Sequence, residues 1–323
     1  MLANELKDSL IRKIDSAYIV FGEDSYLREK ALGELTALAG EDMTEFNLTV
    51  IDGQGLSYAK ISEVFSQVPF MSDRRVTVVK DWNISLTDSE IKKFKSEVLE
   101  STDSVLVAVY ITQTPPTALK KLCTIVDCSR LDKEGVADYV AGECRKANFR
   151  ISTPALTKLV NYTSCDLARV NGELNKLFAY CKEEGEISEI SVDKVVSKDI
   201  EFVVFALSNA VARKDKREAF SILDTARGDS GKNLGMLTTL TTQFRRMLHV
   251  LLNKNTDKKE VASALGISEY AVTKTMSLAS GFKPVKLKAI VDRLVELEYE
   301  FKSGKILTAD EALFIGVAFA LEA

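Results

Sequence analysis

The first 130 residues alternate between short apolar runs and amphipathic stretches. The apolar runs are rich in β-branched residues, which is typical of buried strands, and they lie at 17–24, 46–54, 74–82, 104–111 and 123–129. Stretches with helical spacing of apolar residues lie between them, at 25–40, 57–68, 86–99 and 115–122. This alternation predicts an α/β domain built on a doubly wound, five-stranded parallel sheet.

After Leu131 the pattern changes to all-α, and almost no strand pattern follows. Predicted helices cover 133–148, 153–163, 166–182, 191–197, 201–213, 215–227, 233–254, 257–265, 268–280, 283–302 and 308–322. The polar stretch 181–199 contains the best candidate for a second boundary. We therefore expect three domains, at 1–131, 132–200 and 201–323.

The helix predicted at 57–68 leads into an apolar triplet at a place where loop chemistry should be polar. Its apolar stripe consists of Ile61, Val64, Phe65 and Val68, and it is followed by Pro69, Phe70 and Met71. Such a triplet either fills the core where the helix turns into the next strand or forms an exposed wedge for a partner. In the second case Asp73, Arg74 and Arg75 form the polar rim of the wedge.

Composition is ordinary for a globular protein, and charge adds information only about the C-terminal part of the chain. Of 323 residues, 46% are apolar and 28% charged, and the net charge of −4 excludes a strongly basic nucleic-acid coat. The charge is uneven, because residues 201–323 carry a net +3 and the remainder a net −7. A basic stripe in the C-terminal part is therefore compatible with the acidic whole.

Several classes of site are disfavoured by what the chain lacks. No apolar run approaches the roughly 18 residues of a membrane span, and the N-terminus lacks a signal-peptide core, which predicts a cytoplasmic protein with no membrane partner. The five cysteines are scattered without a C-x-x-C spacing, so neither disulfides nor a zinc site are expected. His249 is the only histidine, which argues against Ser-His-Asp chemistry and His-rich metal sites.

The segment after strand one occupies the usual place of a phosphate loop. A working loop has the form G-x-x-x-x-G-K-[ST], in which backbone N–H groups, a lysine and a hydroxyl meet phosphate and Mg²⁺. Here Gly22 is followed by Glu23 and Asp24, whose charges repel phosphate. We expect no nucleotide, no other cofactor and no catalytic residues.

A basic pair lies on a predicted helix in the C-terminal domain. Arg245 and Arg246 fall opposite the apolar face formed by Phe244, Met247, Leu248 and Leu251. Two adjacent arginines suit DNA phosphate contacts, and the alternative is an ordinary solvated helix face.

The segment 259–276 has the pattern of a helix-turn-helix. Ala262, the turn at 265–267 and Val272 are its expected packing residues. The second helix carries little positive charge, so a packed helical hairpin is favoured over a DNA-reading helix.

Taken in order, these segments resemble the delta subunit of the bacterial DNA polymerase III clamp loader. The matching segments cover nearly the whole chain and lie at 18–32, 46–53, 68–82, 166–181, 190–196, 204–215, 243–250, 261–268 and 294–304. The resemblance implies a degenerate AAA+-like module, made of the α/β domain and a small helical lid, followed by a helical collar domain.

The resemblance also implies a function and its residues. The subunit is expected to bind a ring-shaped sliding clamp through Pro69, Phe70 and Met71, where this chain has Pro-Phe in place of the more common Leu-Phe. Expected partners are the delta-prime and ATP-binding tau/gamma subunits, through the collar, and primed DNA without sequence preference. It would act in the replisome at the bacterial nucleoid, without hydrolysing ATP. The alternatives are an active AAA+ ATPase and a helix-turn-helix regulator.

Overall fold

The computed structural model describes residues 1–40, 43–111, 114–225, 228 and 230–323. These residues form two compact units, Met1–Asn148 with Leu167–Asn171, and Phe149–Asp166 with Gly172–Ala323. The predicted division into three domains stays a prediction. The predicted helix 215–227 reaches residues 226 and 227, which lie outside the described residues.

The first unit is built on a five-stranded parallel sheet, as predicted. Its strands are β1 (Ala17–Phe21), β2 (Leu48–Asp52), β3 (Arg75–Lys80), β4 (Ser104–Tyr110) and β5 (Thr124–Asp127). They are arranged in the order β2-β3-β4-β1-β5, with β2 and β5 at the edges. Strand β4 is buried along its whole length, as expected of an interior parallel strand whose faces are both covered.

In the part of this unit that the structure describes, α-helices accompany the sheet. They are α1 (Leu6–Arg12), α2 (Ser25–Thr36), α3 (Thr44–Asn47), α4 (Tyr58–Phe65), α5 (Asp88–Phe94), α6 (Thr117–Lys120) and α7 (Lys133–Lys146), and a π-helical turn, Lys95–Leu99, extends α5. Thr87 begins α5 with a capping box, in which its side chain and that of Glu90 each bond the other's backbone N–H. One core cluster includes Ile19, Ile61, Trp82, Phe94 and Leu106.

Two predicted boundaries next to the apolar triplet are wrong. Strand β2 begins at Leu48 and not at Phe46, because residues 44–47 form the single helical turn α3. Helix α4 ends at Phe65 and does not reach Val68. The residue before a proline is disfavoured in the helical conformation, so Pro69 keeps Val68 out of the helix.

The second unit is mainly helical. It contains α8 (Thr153–Tyr162), most of α9 (Leu167–Tyr180), α10 (Glu189–Val195), α11 (Ile200–Ala212), α12 (Lys216–Asp224), α13 (Ser230–Leu252), α14 (Lys258–Leu265), α15 (Glu269–Ala279), α16 (Pro284–Lys302) and α17 (Ala309–Glu322). Two short parallel strands, β6 (Arg150–Ile151) and β7 (Glu186–Ile187), were not predicted, because two residues are too few to show alternation. Helix α13 packs against α11, α15, α16 and α17 around buried Leu240 and Phe244.

Candidate partner-binding site

The predicted wedge lies at the surface, in the loop between α4 and β3. The exposed fraction is 51% for Phe70 and 79% for Met71, whereas Pro69 is half-buried. The alternative in which Phe70 fills the core is therefore wrong. Val68, freed from the helix, is 77% exposed and extends the same apolar loop.

A second aromatic residue, which the sequence reasoning missed, packs against Phe70. The ring of Phe46, in α3, lies 5.3 Å from the Phe70 ring between centroids, at 47° between the ring planes. Phe46 is itself 56% exposed. We call Phe46, Val68, Phe70 and Met71 the apolar cluster. Exposed apolar side chains gathered in this way mark interaction sites rather than ordinary surface.

One buried amide side chain holds the backbone of Phe70. The Asn47 Oδ1 accepts a hydrogen bond from the Phe70 N–H at 2.7 Å, and the Asn47 Nδ2 donates to the Phe70 carbonyl at 2.9 Å. The same Nδ2 donates to the Met43 carbonyl at 3.1 Å. Asn47 has no solvent exposure, so its bonds are made inside the protein while the Phe70 ring stays outside.

The next two residues fix the far side of the loop. Met71 has a φ of 51°, in the left-handed region that residues with a Cβ adopt uncommonly. Ser72 Oγ donates a hydrogen bond to the Ala39 carbonyl at 3.0 Å. The exposed Met71 side chain therefore stands on a turn whose backbone conformation is itself constrained.

Arg75 is not part of a polar rim, because it is only 8% exposed. Its guanidinium donates to the Phe46 carbonyl, to Thr49 Oγ1 at 2.8 Å and to Gln67 Oε1 at 2.5 Å. Arg75 therefore connects α3, the edge strand β2 and the start of the loop. Burial of a charged side chain is tolerated where polar groups solvate it in this way.

The other two predicted rim residues do lie at the surface. Asp73 is exposed, and half-buried Arg74 donates to the Thr102 carbonyl at 2.9 Å. A polar border beside an apolar centre is the usual arrangement of a protein interface.

The phosphate-loop position is closed by the protein's own backbone. Gly22 has a φ of 135°, and a Cβ added there would lie 2.1 Å from the carbonyl carbon of Cys128. The Asp24 N–H donates to the Cys128 carbonyl at 3.0 Å, and the Arg28 guanidinium donates to the Gly22 carbonyl. Glycine is required here by the close approach of Cys128, which directly follows β5.

A carboxylate already occupies the helix N-terminus at which a phosphate would bind. Asp24 is the N-cap of α2, and its Oδ1 accepts a hydrogen bond from the Leu27 N–H at 2.9 Å. Glu23, beside it, is exposed. The positive end of the helix dipole is therefore offset internally, and the two acids oppose a further anion.

The cysteine thiols offer no nucleophile near this loop. Burial raises the pKa of Cys123 and of Cys128 to about 12 and that of Cys144 to about 11. These groups are uncharged thiols at neutral pH and behave as small core residues. Within the described residues, no three His, Cys, Asp or Glu side chains are arranged to hold a metal ion.

Arg245 and Arg246 lie on α13, on the face opposite its buried apolar residues, as predicted. Phe244 and Met247 are fully buried, while Arg245 is exposed and Arg246 half-buried. Neither guanidinium makes a hydrogen bond or ion pair with any residue that the structure describes.

The helix-turn-helix segment is a packed hairpin. Helices α14 and α15 meet through Val261, Ala262 and Val272 against Val250 of α13. Gly266 makes the turn at a φ of 61°, which favours glycine. In the described parts of the chain, no helix is long and apolar enough to cross a membrane.

Comparison with known families gives two matches that together cover most of the chain. Residues 18–129 match the family described as "DNA polymerase III, delta subunit", and residues 201–314 match "DNA polymerase III delta subunit, C-terminal domain". The two matches occur in the order expected of one subunit.

Individual relatives agree with these matches. The chain is 24% identical over 316 residues to DNA polymerase III subunit delta of Bacillus subtilis, which covers 91% of this chain and 89% of that protein. It is 22% identical over 271 residues to a probable delta subunit of Aquifex aeolicus, covering 78% and 76%. The fold matches the solved B. subtilis DNA clamp loader delta protein (YqeN) with a TM-score of 0.83, 20% identity, and coverage of 99% and 100%.

Proposed function

The chain belongs to the DNA polymerase III delta-subunit family, and from that premise we propose that it is the clamp-loader subunit that binds a ring-shaped sliding clamp and helps to open it for loading onto primed DNA. The observation that carries the proposal is the exposed Phe70 ring, held on a fixed backbone beside Phe46. The solved B. subtilis structure of the same fold is named a DNA clamp loader delta protein, which supports the role.

Binding alone, without catalysis, is sufficient for the proposed ring opening. An aromatic side chain that enters a pocket on a partner can account for about 2 kcal/mol or more of binding free energy. A subunit shifts a ring from closed to open if it binds the open form more tightly, and it needs no reacting group to do so. Pro69, Phe70 and Met71 supply the contact, with Phe46 and Val68 beside them.

We propose further that this subunit does not hydrolyse ATP and that the tau/gamma subunits bind the nucleotide. Three observations support this proposal: the Asp24 carboxylate caps α2 at the Leu27 N–H, the Asp24 N–H is bonded to the Cys128 carbonyl, and Gly22 is packed against Cys128. The helical domain at 201–323 is the proposed collar, through which the chain assembles in the cytoplasm with tau/gamma and delta-prime.

Contact with primed DNA is assigned to Arg245 and Arg246 as phosphate contacts without sequence preference. The exposure of Arg245 supports this role, as does the absence of a hydrogen bond or ion pair between either guanidinium and any residue that the structure describes. For the assembled loader, Arg245→Ala and Arg246→Ala should each lower the slope of log affinity against log salt by about 1. Unchanged slopes would remove these residues from the DNA surface.

Direct binding to the sliding clamp tests the proposal. We expect the Kd of the full chain for the clamp to rise by about thirtyfold or more in Phe70→Ala, by surface-based binding at fixed salt. Ile11→Ala is the control, because Ile11 is 78% exposed in α1 of the same unit and lies outside the apolar cluster. Equal affinity of wild type and Phe70→Ala would refute the site.

A further inference from the structure

Phe70 combines an exposed ring with a backbone that is satisfied from inside the protein. Both its N–H and its carbonyl bond to one side chain, Asn47, at 2.7 and 2.9 Å. Loop residues at a surface usually leave such groups to water, and the peptide planes can then rotate. Here the amide fixes both planes that flank the Phe70 Cα, and with them the direction in which the ring leaves the backbone.

Asn47 is itself held in place. It is the last residue of α3, its Nδ2 also donates to the Met43 carbonyl one turn earlier, and the side chain has no solvent exposure. A partner protein therefore cannot contact it. Any effect of Asn47 on binding must act through the residues that it holds.

The same short helix presents the second ring of the apolar cluster. Phe46 directly precedes Asn47, and its carbonyl accepts from Arg75, which also bonds Gln67 at the start of the loop. The two rings, 24 residues apart in the chain, are thus kept at 5.3 Å by polar groups below the surface. No sequence pattern links Phe46 to Phe70, because the contacts join α3, which precedes β2, to the loop that precedes β3.

We infer that Asn47 is a positioning residue for the clamp contact, which holds Phe70 in its binding orientation before the partner arrives. This inference rests on the proposed function. A side chain that is already ordered loses less conformational freedom on association, so preorganisation raises affinity without adding a contact. If only a fraction of molecules present the ring correctly, the apparent Kd rises by the inverse of that fraction.

Two substitutions at Asn47 test the role in the full chain. Asn47→Leu keeps the approximate size and removes all three hydrogen bonds. Asn47→Asp keeps an acceptor for the Phe70 N–H and removes both donated bonds. We expect the Kd for the sliding clamp to rise about tenfold in Asn47→Leu, as follows from ordering one more side chain on binding. The rise should be at least as large in Asn47→Asp, because its buried carboxylate would face the Phe70 and Met43 carbonyl oxygens.

A double-mutant cycle separates positioning from general damage to the fold. If Asn47 acts through Phe70, adding Asn47→Leu to Phe70→Ala should cause no further loss of affinity. Additive losses in the cycle would overturn the inference. Asp132→Ala is the stability control, because it removes the N-cap of α7, which follows the opposite edge strand of the sheet, and should leave the Kd unchanged.

Amide hydrogen exchange, which needs no clamp, tests the inference even if the Asn47 variants do not bind the clamp at all. In the free protein, exchange of the Phe70 amide hydrogen should be at least about tenfold faster in Asn47→Leu, which removes the acceptor of that hydrogen, than in wild type, at unchanged exchange of core strand β4. Equal exchange would overturn the inference.

If Phe70→Ala weakens clamp binding and the Asn47 variants do not, the inference fails and the proposed function stands. If Phe70→Ala binds as wild type, the clamp-contact site assigned under the proposed function fails.

Discussion

Two loops of the α/β unit, Gly22–Asp24 and Val68–Met71, both have backbone groups that bond inside the protein, with opposite consequences for binding. In both, backbone groups are bonded inside the protein, to the Cys128 carbonyl in the first and to Asn47 in the second. In the first loop the Asp24 N–H, which could otherwise face a phosphate, is bonded internally. The second keeps its backbone rigid and leaves apolar side chains in solvent.

The difference shows that internal hydrogen bonds have opposite consequences for two kinds of binding loop. A phosphate loop works through free backbone donors, so internal bonds disable it. A partner-binding loop works through its side chains, so internal bonds improve it by reducing the freedom that is lost on binding. The following changes test that contrast, from the largest expected effect to the smallest.

The packing of the first loop is tested by Gly22→Ala. The added Cβ would overlap the Cys128 carbonyl carbon, and φ would stay in a strained region, so we expect a loss of about 3 kcal/mol or more in the free energy of unfolding by urea. Gly33→Ala is the matched control, because an added Cβ there meets no atom within 4 Å. It lies within α2 and should gain about 0.5–1 kcal/mol. A Gly22→Ala protein as stable as wild type would contradict the packing.

The extent of the second loop's surface is tested by Phe46→Ala. Because Phe46 is exposed beside Phe70, we expect the Kd for the sliding clamp to rise about tenfold. Unfolding free energy should change by less than about 1 kcal/mol, since the side chain is more than half exposed. If Phe46→Ala binds like the Ile11→Ala control, the contact surface excludes α3.

The proposal that the first loop binds no nucleotide is tested with Asp24→Ala and by titration with ATP. Removing this N-cap should lower the unfolding free energy by about 1 kcal/mol, as should Asp132→Ala at α7. Calorimetric titration with ATP and Mg²⁺ should give no binding heat for wild type or variant, because no glycine-lysine cradle is restored. Micromolar ATP binding by either protein would contradict the proposed division of labour among the subunits.

The backbone strain at Met71, in the second loop, is tested by Met71→Gly. This change introduces a glycine at a positive φ, whereas Gly22→Ala removes one. Glycine relieves the positive φ but gains freedom in the unfolded chain, so unfolding free energy should change by less than about 1 kcal/mol. The Kd for the clamp should rise about threefold to tenfold through the lost apolar side chain. A large gain in stability with unchanged affinity would show that Met71 has no part in the contact.

The sheet could be predicted because its signal is local. The β-branched runs of β1, β3 and β4 identify buried parallel strands from composition and length alone. Short elements were harder. The last two residues of α3 were read as the start of β2, because Phe46, Leu48 and Val50 alternate with polar residues as in a strand. One helical turn carries no periodicity to distinguish it from a strand.

The candidate site was only partly predictable for a different reason. Phe70 and Met71 were found because apolar residues are conspicuous at a helix-to-strand joint. Asn47 and Arg75 were missed as supports because their roles depend on contacts that span from 8 to 29 residues of sequence. A buried arginine and an exposed one look the same in sequence, so Arg75 was assigned to the rim.

The central claim is that the apolar cluster is the surface that meets the sliding clamp. Photo-cross-linking tests it most directly, with benzoylphenylalanine in place of Met71 and, separately, in place of Ile11. Both positions are about equally exposed and lie in the same unit. We predict that the probe at position 71 cross-links to the clamp and the probe at position 11 does not. Cross-linking at both positions alike, or at neither while the chain binds the clamp, would contradict the account.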